Sequence, residues 1–199
     1  WISVVSFGIV GLFYVGIYSL RRKDPFLLAF GVLCLCIAVY AMTRGERIVF
    51  DLFGDVPAWL FLRIQMVSTV CAGLAMFVYL RQAFRDYSSA VVCRAMIGVG
   101  ILFLIAILGF FDLVYRSWFL VIHSVYISVP FLYVTYVFLY AAMHRVRESL
   151  LLTMSALALN WHIFMQNVNV YFAVPMFTFP PFEAFLFPLF LSLLMSLNF

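Results

Sequence analysis

The amino-acid sequence predicts an all-α integral membrane protein, a bundle of seven transmembrane helices whose N-terminus lies outside and whose C-terminus lies in the cytoplasm. Of the 199 residues, 67% are hydrophobic and only 10% are charged, whereas a soluble protein carries about 25% charged residues. The mean hydropathy is +1.16. A transmembrane helix needs about 20 mostly apolar residues, so with short loops this chain accommodates about six to eight helices and no separate soluble domain.

The first two spans are separated by a short basic turn. Helix one is predicted at about residues 1–20 and ends at Arg21-Arg22-Lys23-Asp24. Asp24 is a favourable N-cap, and Pro25 is favourable at the first helical position because its missing amide hydrogen has no partner there. Helix two is therefore predicted to restart the chain at about 25–42.

The next two spans follow the longest polar segment of the chain, residues 43–56. Helix three is predicted at about 57–80 and ends at Arg81 and Arg85. Helix four is predicted at about 90–111 and ends at Asp112. Both apolar runs are long enough to cross the hydrocarbon core of a bilayer.

Three further spans complete the predicted bundle. Helix five, at about 115–142, is followed by the charged segment 144–148. Helix six is predicted at about 150–173. A turn rich in proline and phenylalanine, residues 174–181, then leads to helix seven at about 182–199.

The orientation is predicted from the basic residues near the helix ends. One side of the membrane collects eight of them: Arg21, Arg22, Lys23, Arg81, Arg85, Arg94, Arg145 and Arg147. The other side has four: Arg44, Arg47, Arg63 and Arg116. Cytoplasmic loops carry the excess of positive charge, so the first set is predicted to be cytoplasmic. The same distribution, in short clusters between apolar runs, argues against a nucleic-acid partner.

Polar side chains inside the predicted spans are the candidate functional residues, because each is costly in lipid and needs a partner or a role. The ligand-binding or coupling candidates are Arg63, Gln65, His123, Asn160, His162, Gln166, Asn167, Asn169 and Glu183. On helix six, His162, Gln166 and Asn169 fall within an arc of about 60°, with Asn160 and Asn167 on roughly the opposite face. Two interpretations stay open: hydrogen bonding between helices, and a ligand pocket or polar signal-coupling core.

Two prolines inside predicted spans are hinge candidates. Pro130 in helix five and Pro188 in helix seven each remove a backbone donor and favour a kink. Kinks that neighbouring helices simply accommodate are common in membrane proteins, so a structural role and a signalling hinge are both consistent with the sequence.

Several chemistries are excluded by the residues present. The single lysine, Lys23, lies in a loop, so no retinal Schiff base can form within the membrane. The four cysteines lie in apolar runs and are expected to behave as small hydrophobic residues rather than as metal ligands. Haem between His123 and His162 is disfavoured because the two lie at different depths and each helix has one histidine. We therefore predict no cofactor and no metal, and no catalytic residues within this segment.

A small-molecule transporter or a membrane scaffold subunit is the alternative function. Transporter folds commonly contain internal repeats and helices broken near the midplane. No similarity between the two halves of the chain is visible, and an odd number of helices does not suit a simple two-fold repeat.

Several short segments carry a resemblance to one family of receptors. They are residues 11–14 (GLFY), 18–24 (YSLRRKD), 30–35 (FGVLCL), 43–47 (TRGER), 62–65 (LRIQ) and 79–84 (YLRQAF). In these segments the chain resembles the transmembrane region of the bacterial seven-transmembrane receptors with diverse intracellular signalling modules. That family often has an acidic residue at the position of Gln65.

The resemblance implies a receptor or transducer of the bacterial cytoplasmic (inner) membrane. It implies an extracytoplasmic sensor domain before the seven helices and a cytoplasmic kinase, cyclase or phosphatase after them. It also implies a homodimer, because such effectors generally work in pairs. The chain begins at Trp1 and ends at Phe199 within an apolar run, so we expect it to be one module of a longer protein.

Overall fold

A computed structural model describes residues 2–22, 24–43, 54, 57–110, 112, 116–144, 153, 156 and 157. The candidate residues Asn160, His162, Gln166, Asn167, Asn169, Glu183 and Pro188 lie outside this description, as do the basic residues Lys23, Arg44, Arg47, Arg145 and Arg147. The predicted spans six and seven lie almost wholly outside it as well. Arg63, Gln65, His123 and Pro130 lie within it.

Five long α-helices make up the described part of the chain. In order they are α1 (Ile2–Arg21), α2 (Pro25–Thr43), α3 (Ala58–Ala83), α4 (Ala90–Gly109) and α5 (Ser117–Met143). All five are long and apolar enough to cross a membrane, and the residues described contain no strand. The predicted all-α membrane class is therefore confirmed for these residues, and the helices lie within a few residues of the first five predicted spans.

The chain forms two compact units, Trp1–Ile127 and Ser128–Phe199. In the first unit α1 packs on α2, α2 on α3, and α3 on α4. The second unit contains the remainder of α5, in which Pro130 is buried within a continuous helix. Tyr136 and Tyr140, four residues apart on that helix, stack with ring centroids 6.1 Å apart.

The turn between α1 and α2 is tight. Arg22 adopts a φ of 48°, in the left-handed region that commonly ends a helix. Its amide donates to the Tyr18 carbonyl at 2.7 Å, and the Leu27 amide donates to the Asp24 carbonyl at 3.0 Å. These bonds end one helix and start the next within a few residues, so α1 and α2 run antiparallel.

Two glycines allow α1 and α2 to approach each other closely. A Cβ atom added at Gly31 would lie 2.8 Å from Cγ2 of Val15 and 3.0 Å from the Gly11 carbonyl oxygen. One added at Gly11 would lie 2.7 Å from Cγ of Leu35. Small residues at such crossings let helix backbones come together, which is a main source of packing energy between helices in lipid.

The turn between α3 and α4 is held by side chains as well as by the backbone. The guanidinium of Arg81 donates to the Arg85 carbonyl at 2.9 Å and to the Ser88 carbonyl at 3.4 Å. The Phe84 amide donates to the Leu80 carbonyl at 2.9 Å. α3 ends at Ala83, between Arg81 and Arg85 and within a few residues of its predicted end.

Candidate functional site

A polar contact joins α3 and α5 within the first unit. Nε2 of His123 lies 3.1 Å from Oγ1 of Thr69. Oγ1 of Thr69 also lies 2.9 Å from the Met66 carbonyl oxygen and 3.2 Å from the Gln65 carbonyl oxygen on its own helix. The hydroxyl of Thr69 can donate either to a carbonyl of its own helix or to Nε2 of His123, so which atom donates between the two helices depends on the tautomer of the imidazole.

Apolar side chains surround this contact. The ring of Phe103 on α4 meets the His123 ring edge-on, with centroids 6.2 Å apart. The neighbouring core cluster consists of Met66, Val70, Ile107, Phe119 and Tyr126. In such surroundings a hydrogen bond is stronger than in water, and an unmatched donor is correspondingly costly. The contact therefore favours one register between α3 and α5.

Tyr126 closes the same cluster one turn further along α5. Its ring stacks on Phe103 with centroids 4.7 Å apart, and its side chain is 5% exposed. Its buried hydroxyl has no hydrogen-bond partner among the residues described. That oxygen lies where a Cβ atom at Gly100 would be, and the same Cβ would lie 2.6 Å from Cδ2 of Leu74. Glycine at position 100 therefore makes room for Tyr126.

Replacing Tyr126 with phenylalanine is expected to leave the melting temperature unchanged or to raise it. The ring contacts remain while an unmatched buried hydroxyl, worth about 1 kcal/mol or more, is removed. Gly100→Ala should lower the melting temperature, and the double variant should recover part of that loss, because the added methyl group then meets no hydroxyl. Thermal unfolding of the purified protein in mild detergent gives the melting temperatures of the two single variants and the double variant. A strong destabilisation by Tyr126→Phe alone would show that the hydroxyl has a favourable partner.

Arg63 lies away from this contact, about 120° around α3 from Thr69. It is half-buried, and its guanidinium carbon lies 5.9 Å from the centroid of the Trp59 ring. This distance is typical of a cation–π interaction. Arg63 and Trp59 both line a groove of about 520 Å³ between α2 and α3, which we call the α2–α3 groove. Its lining is Val32, Leu35, Cys36, Val39, Trp59, Leu60, Arg63, Ile64, Val67, Ser68, Cys71 and Leu108.

Two cysteines face each other in the groove. The thiols of Cys36 on α2 and Cys71 on α3 are within hydrogen-bond distance, and both cysteines are free. No group of three or more histidine, cysteine or acidic side chains that could hold a metal ion occurs among the residues described.

The three described candidates from the sequence have different surroundings. His123 makes the contact between α3 and α5, Arg63 lines the α2–α3 groove, and Gln65 contributes its backbone carbonyl to Ser68 at 2.9 Å and to Thr69 at 3.2 Å. Arg63 and His123 are thus in two places rather than in one polar cluster.

Thr69 was missed by reasoning from the sequence. Threonine is common in membrane helices, where its hydroxyl usually bonds to its own backbone. Thr135 does this, donating to the Phe131 carbonyl at 3.0 Å. Nothing in the local sequence distinguishes the two threonines, since the histidine that makes Thr69 special is 54 positions away.

Comparison with known proteins identifies a family. A family model described as "7TM diverse intracellular signalling" matches residues 2–198. No curated protein matches the chain, and no solved structure matches it. The match covers nearly every residue, and it confirms the resemblance carried by the short segments described above. The chain belongs to the 7TM diverse intracellular signalling family and is a membrane-embedded region of a sensory or signalling receptor.

Proposed function

We propose that this segment relays an extracytoplasmic signal, from a ligand or a sensor domain, to a cytoplasmic effector that follows it in the full-length chain. The effector would be a kinase, a cyclase or a phosphatase, and the segment itself would have no catalytic residues and no cofactor. The observation that carries the proposal is the hydrogen bond between Thr69 and His123. It is a directional contact between two helices in otherwise apolar packing.

A directional contact can discriminate between two arrangements of a helix bundle. Apolar side chains in lipid lose little when one helix slides past another, because the lipid is as apolar as the partner helix. The Thr69–His123 bond, by contrast, is lost as soon as the two atoms separate. An interhelical hydrogen bond in a membrane protein contributes about 0.6 kcal/mol on average, which corresponds to about a threefold change in the ratio of two states. A signal that favours one arrangement of the helices would therefore need to overcome only a small free-energy difference between the two arrangements, and the change would be reversible.

The proposed topology places the N-terminus outside and the C-terminus in the cytoplasm of a bacterial inner membrane, with seven spans in all. Consistent with this, basic residues gather at the end of α1 and at the turn between α3 and α4, which lie on the same side because α1 to α4 alternate in direction. They are Arg21, Arg22, Arg81, Arg85 and Arg94. We also propose that the receptor is a homodimer, which would bring two effectors together.

The relay is tested in full-length protein in its native membrane, by measuring the catalytic output of the domain that follows the membrane segment. Thr69→Val leaves Nε2 of His123 without its Thr69 partner, whereas His123→Leu leaves the Thr69 hydroxyl bonded to the Met66 carbonyl. We expect output to change about threefold in both variants and stability to fall more in Thr69→Val, because a buried ring nitrogen loses its partner. The double variant should be more stable than Thr69→Val, since that ring nitrogen is then absent.

Ser19→Ala is the matched control, because the Ser19 hydroxyl is exposed and, among the residues described, bonds to the Val15 carbonyl of its own helix, at 2.9 Å. It should change neither output nor stability. If Thr69→Val and His123→Leu both fold and have the catalytic output of the unmodified receptor, a relay through this contact is overturned. A full-length chain without a cytoplasmic effector domain would overturn the proposed function as a whole.

A further inference from the structure

The α2–α3 groove has a composition that suits one kind of occupant. Apart from Trp59 and Arg63 at one end, its lining is aliphatic, with two thiols and one hydroxyl as the weakly polar groups. That hydroxyl, on Ser68, is already donated to the Gln65 carbonyl at 2.9 Å. The groove therefore offers an occupant almost no hydrogen bonds along its length, and a hydrocarbon chain requires none. Its volume of about 520 Å³ lies within the range of known small-molecule sites.

The groove opens sideways, toward the lipid. Val32, near the middle of α2, and Val39, about one turn before its end, are 37% and 39% exposed although they line the groove. At that depth a transmembrane helix is surrounded by hydrocarbon and not by water. An occupant can therefore enter from the bilayer without crossing an aqueous opening.

The length of the groove matches one leaflet. Trp59 and Cys71 mark its two ends on α3, and twelve residues of helix span about 18 Å. Half of the hydrocarbon core of a bilayer is about 15 Å thick. A single acyl chain, extended from the interface toward the midplane, would therefore lie along the groove for its full length.

One end of the groove carries positive charge. Arg63 is the charged residue in the described lining, and it lies one turn from Trp59 near the start of α3. Tryptophan is favoured at the level of lipid headgroups. Its ring lies against the guanidinium, 5.9 Å away, which restricts the orientation of the arginine. The guanidinium has five donors in a fork and can bind a phosphate oxygen in addition to its other partners.

We infer that the α2–α3 groove binds an anionic phospholipid from the surrounding leaflet. One acyl chain lies between α2 and α3 from Trp59 to Cys71, and the phosphate is held by Arg63. The site is a feature of the membrane segment and does not depend on the proposed relay to an effector. Binding can therefore be measured separately from signalling output.

The test uses the full-length protein in nanodiscs of phosphatidylcholine with a minor fraction of a photoreactive lipid. The probe is phosphatidylglycerol with a diazirine at the end of one acyl chain, and the comparison probe is phosphatidylcholine with the same modified chain. We expect phosphatidylglycerol to label α2 and α3 within the groove about fivefold more than phosphatidylcholine does. The reason is that the anionic headgroup forms one additional charge pair, with Arg63, near the membrane surface. Peptide mapping by mass spectrometry locates the label. Inorganic phosphate should not compete, because it lacks the acyl chain.

Two variants separate the headgroup from the acyl chain. Arg63→Gln should reduce labelling by phosphatidylglycerol to the level of phosphatidylcholine, while Arg116→Gln, an exposed arginine before α5 and outside the groove lining, should not. Val39→Trp fills the groove and should reduce labelling by both lipids. Each variant is compared only if it elutes as a single folded species.

Three outcomes would overturn the inference. They are equal labelling by the two lipids, labelling of other helices instead of α2 and α3, and labelling unchanged in folded Arg63→Gln and Val39→Trp protein. Unchanged effector output in folded Thr69→Val and His123→Leu protein, with labelling intact, would count against the relay and not against the lipid site. Loss of labelling with output intact in Arg63→Gln would support a lipid site that is not required for signalling.

Discussion

Replacing Gly31 with leucine is expected to prevent stable packing of α1 on α2 and to abolish most of the folded protein. Even a Cβ atom at this position lies 2.8 Å from Cγ2 of Val15 and 3.0 Å from two backbone atoms, the Val15 nitrogen and the Gly11 carbonyl oxygen. Backbone atoms cannot rotate away as a flexible side chain can, so the two helices must separate. Overpacking usually costs about 1–3 kcal/mol, and a leucine against backbone should exceed that range.

Gly16→Leu is the matched control for this experiment. Gly16 lies within α1, five residues before its end, it is exposed, and an added Cβ atom would meet nothing within 4 Å. Size-exclusion profiles and thermal unfolding in mild detergent should show Gly16→Leu close to the unmodified chain and Gly31→Leu aggregated or strongly destabilised. Equal behaviour of the two variants would show that α1 and α2 do not approach each other at Gly31.

Replacing Phe30 with alanine is expected to lower the free energy of unfolding by about 3 kcal/mol. Phe30 is fully buried, and its ring lies between two others: Tyr14 on α1, 5.0 Å away edge-on, and Tyr79 on α3, 6.0 Å away. Removing it leaves a cavity where three helices meet. The loss arises from packing rather than from transfer out of water, because the membrane outside the bundle is also apolar.

Phe110→Ala serves as the control for Phe30→Ala, since Phe110 follows α4 and is 64% exposed. Its removal should change stability by less than about 0.5 kcal/mol, as is usual for surface positions. The loss of stability in Phe30→Leu should fall between the losses in Phe30→Ala and Phe110→Ala, because leucine fills much of the cavity. Steric-trap or detergent-titration unfolding gives the free energies. A loss no larger for Phe30→Ala than for Phe110→Ala would contradict the described packing of α1, α2 and α3.

The helices of the described region could be predicted because their signals are local. An apolar run long enough to cross a bilayer is visible in any window of about 20 residues. The start of α2 at Pro25, two residues after the basic turn, is similarly determined by neighbours in the chain. The end of α3 at Ala83 lies between Arg81 and Arg85, the two basic residues at which the sequence places the end of this helix.

The candidate residues were only partly predictable. Arg63 and His123 were found because an ionisable side chain in an apolar run is unusual wherever it points. Their separation into a groove and an interhelical contact could not be inferred, since it depends on which neighbour each helix face meets. Thr69 and the pair of Gly100 and Tyr126 were missed for the same reason: each becomes distinctive only beside a residue on another helix.

Composition and hydropathy were enough to establish a helical membrane protein, because the bilayer imposes the same demand on every span: about 20 apolar residues with all backbone groups bonded within the helix. Short motifs were enough to indicate the receptor family. The contacts at Gly31, at Thr69 and His123, and in the α2–α3 groove required the folded chain. Lipid distinguishes poorly between one apolar helix face and another, so the choice of partner depends on close packing and on a few polar atoms.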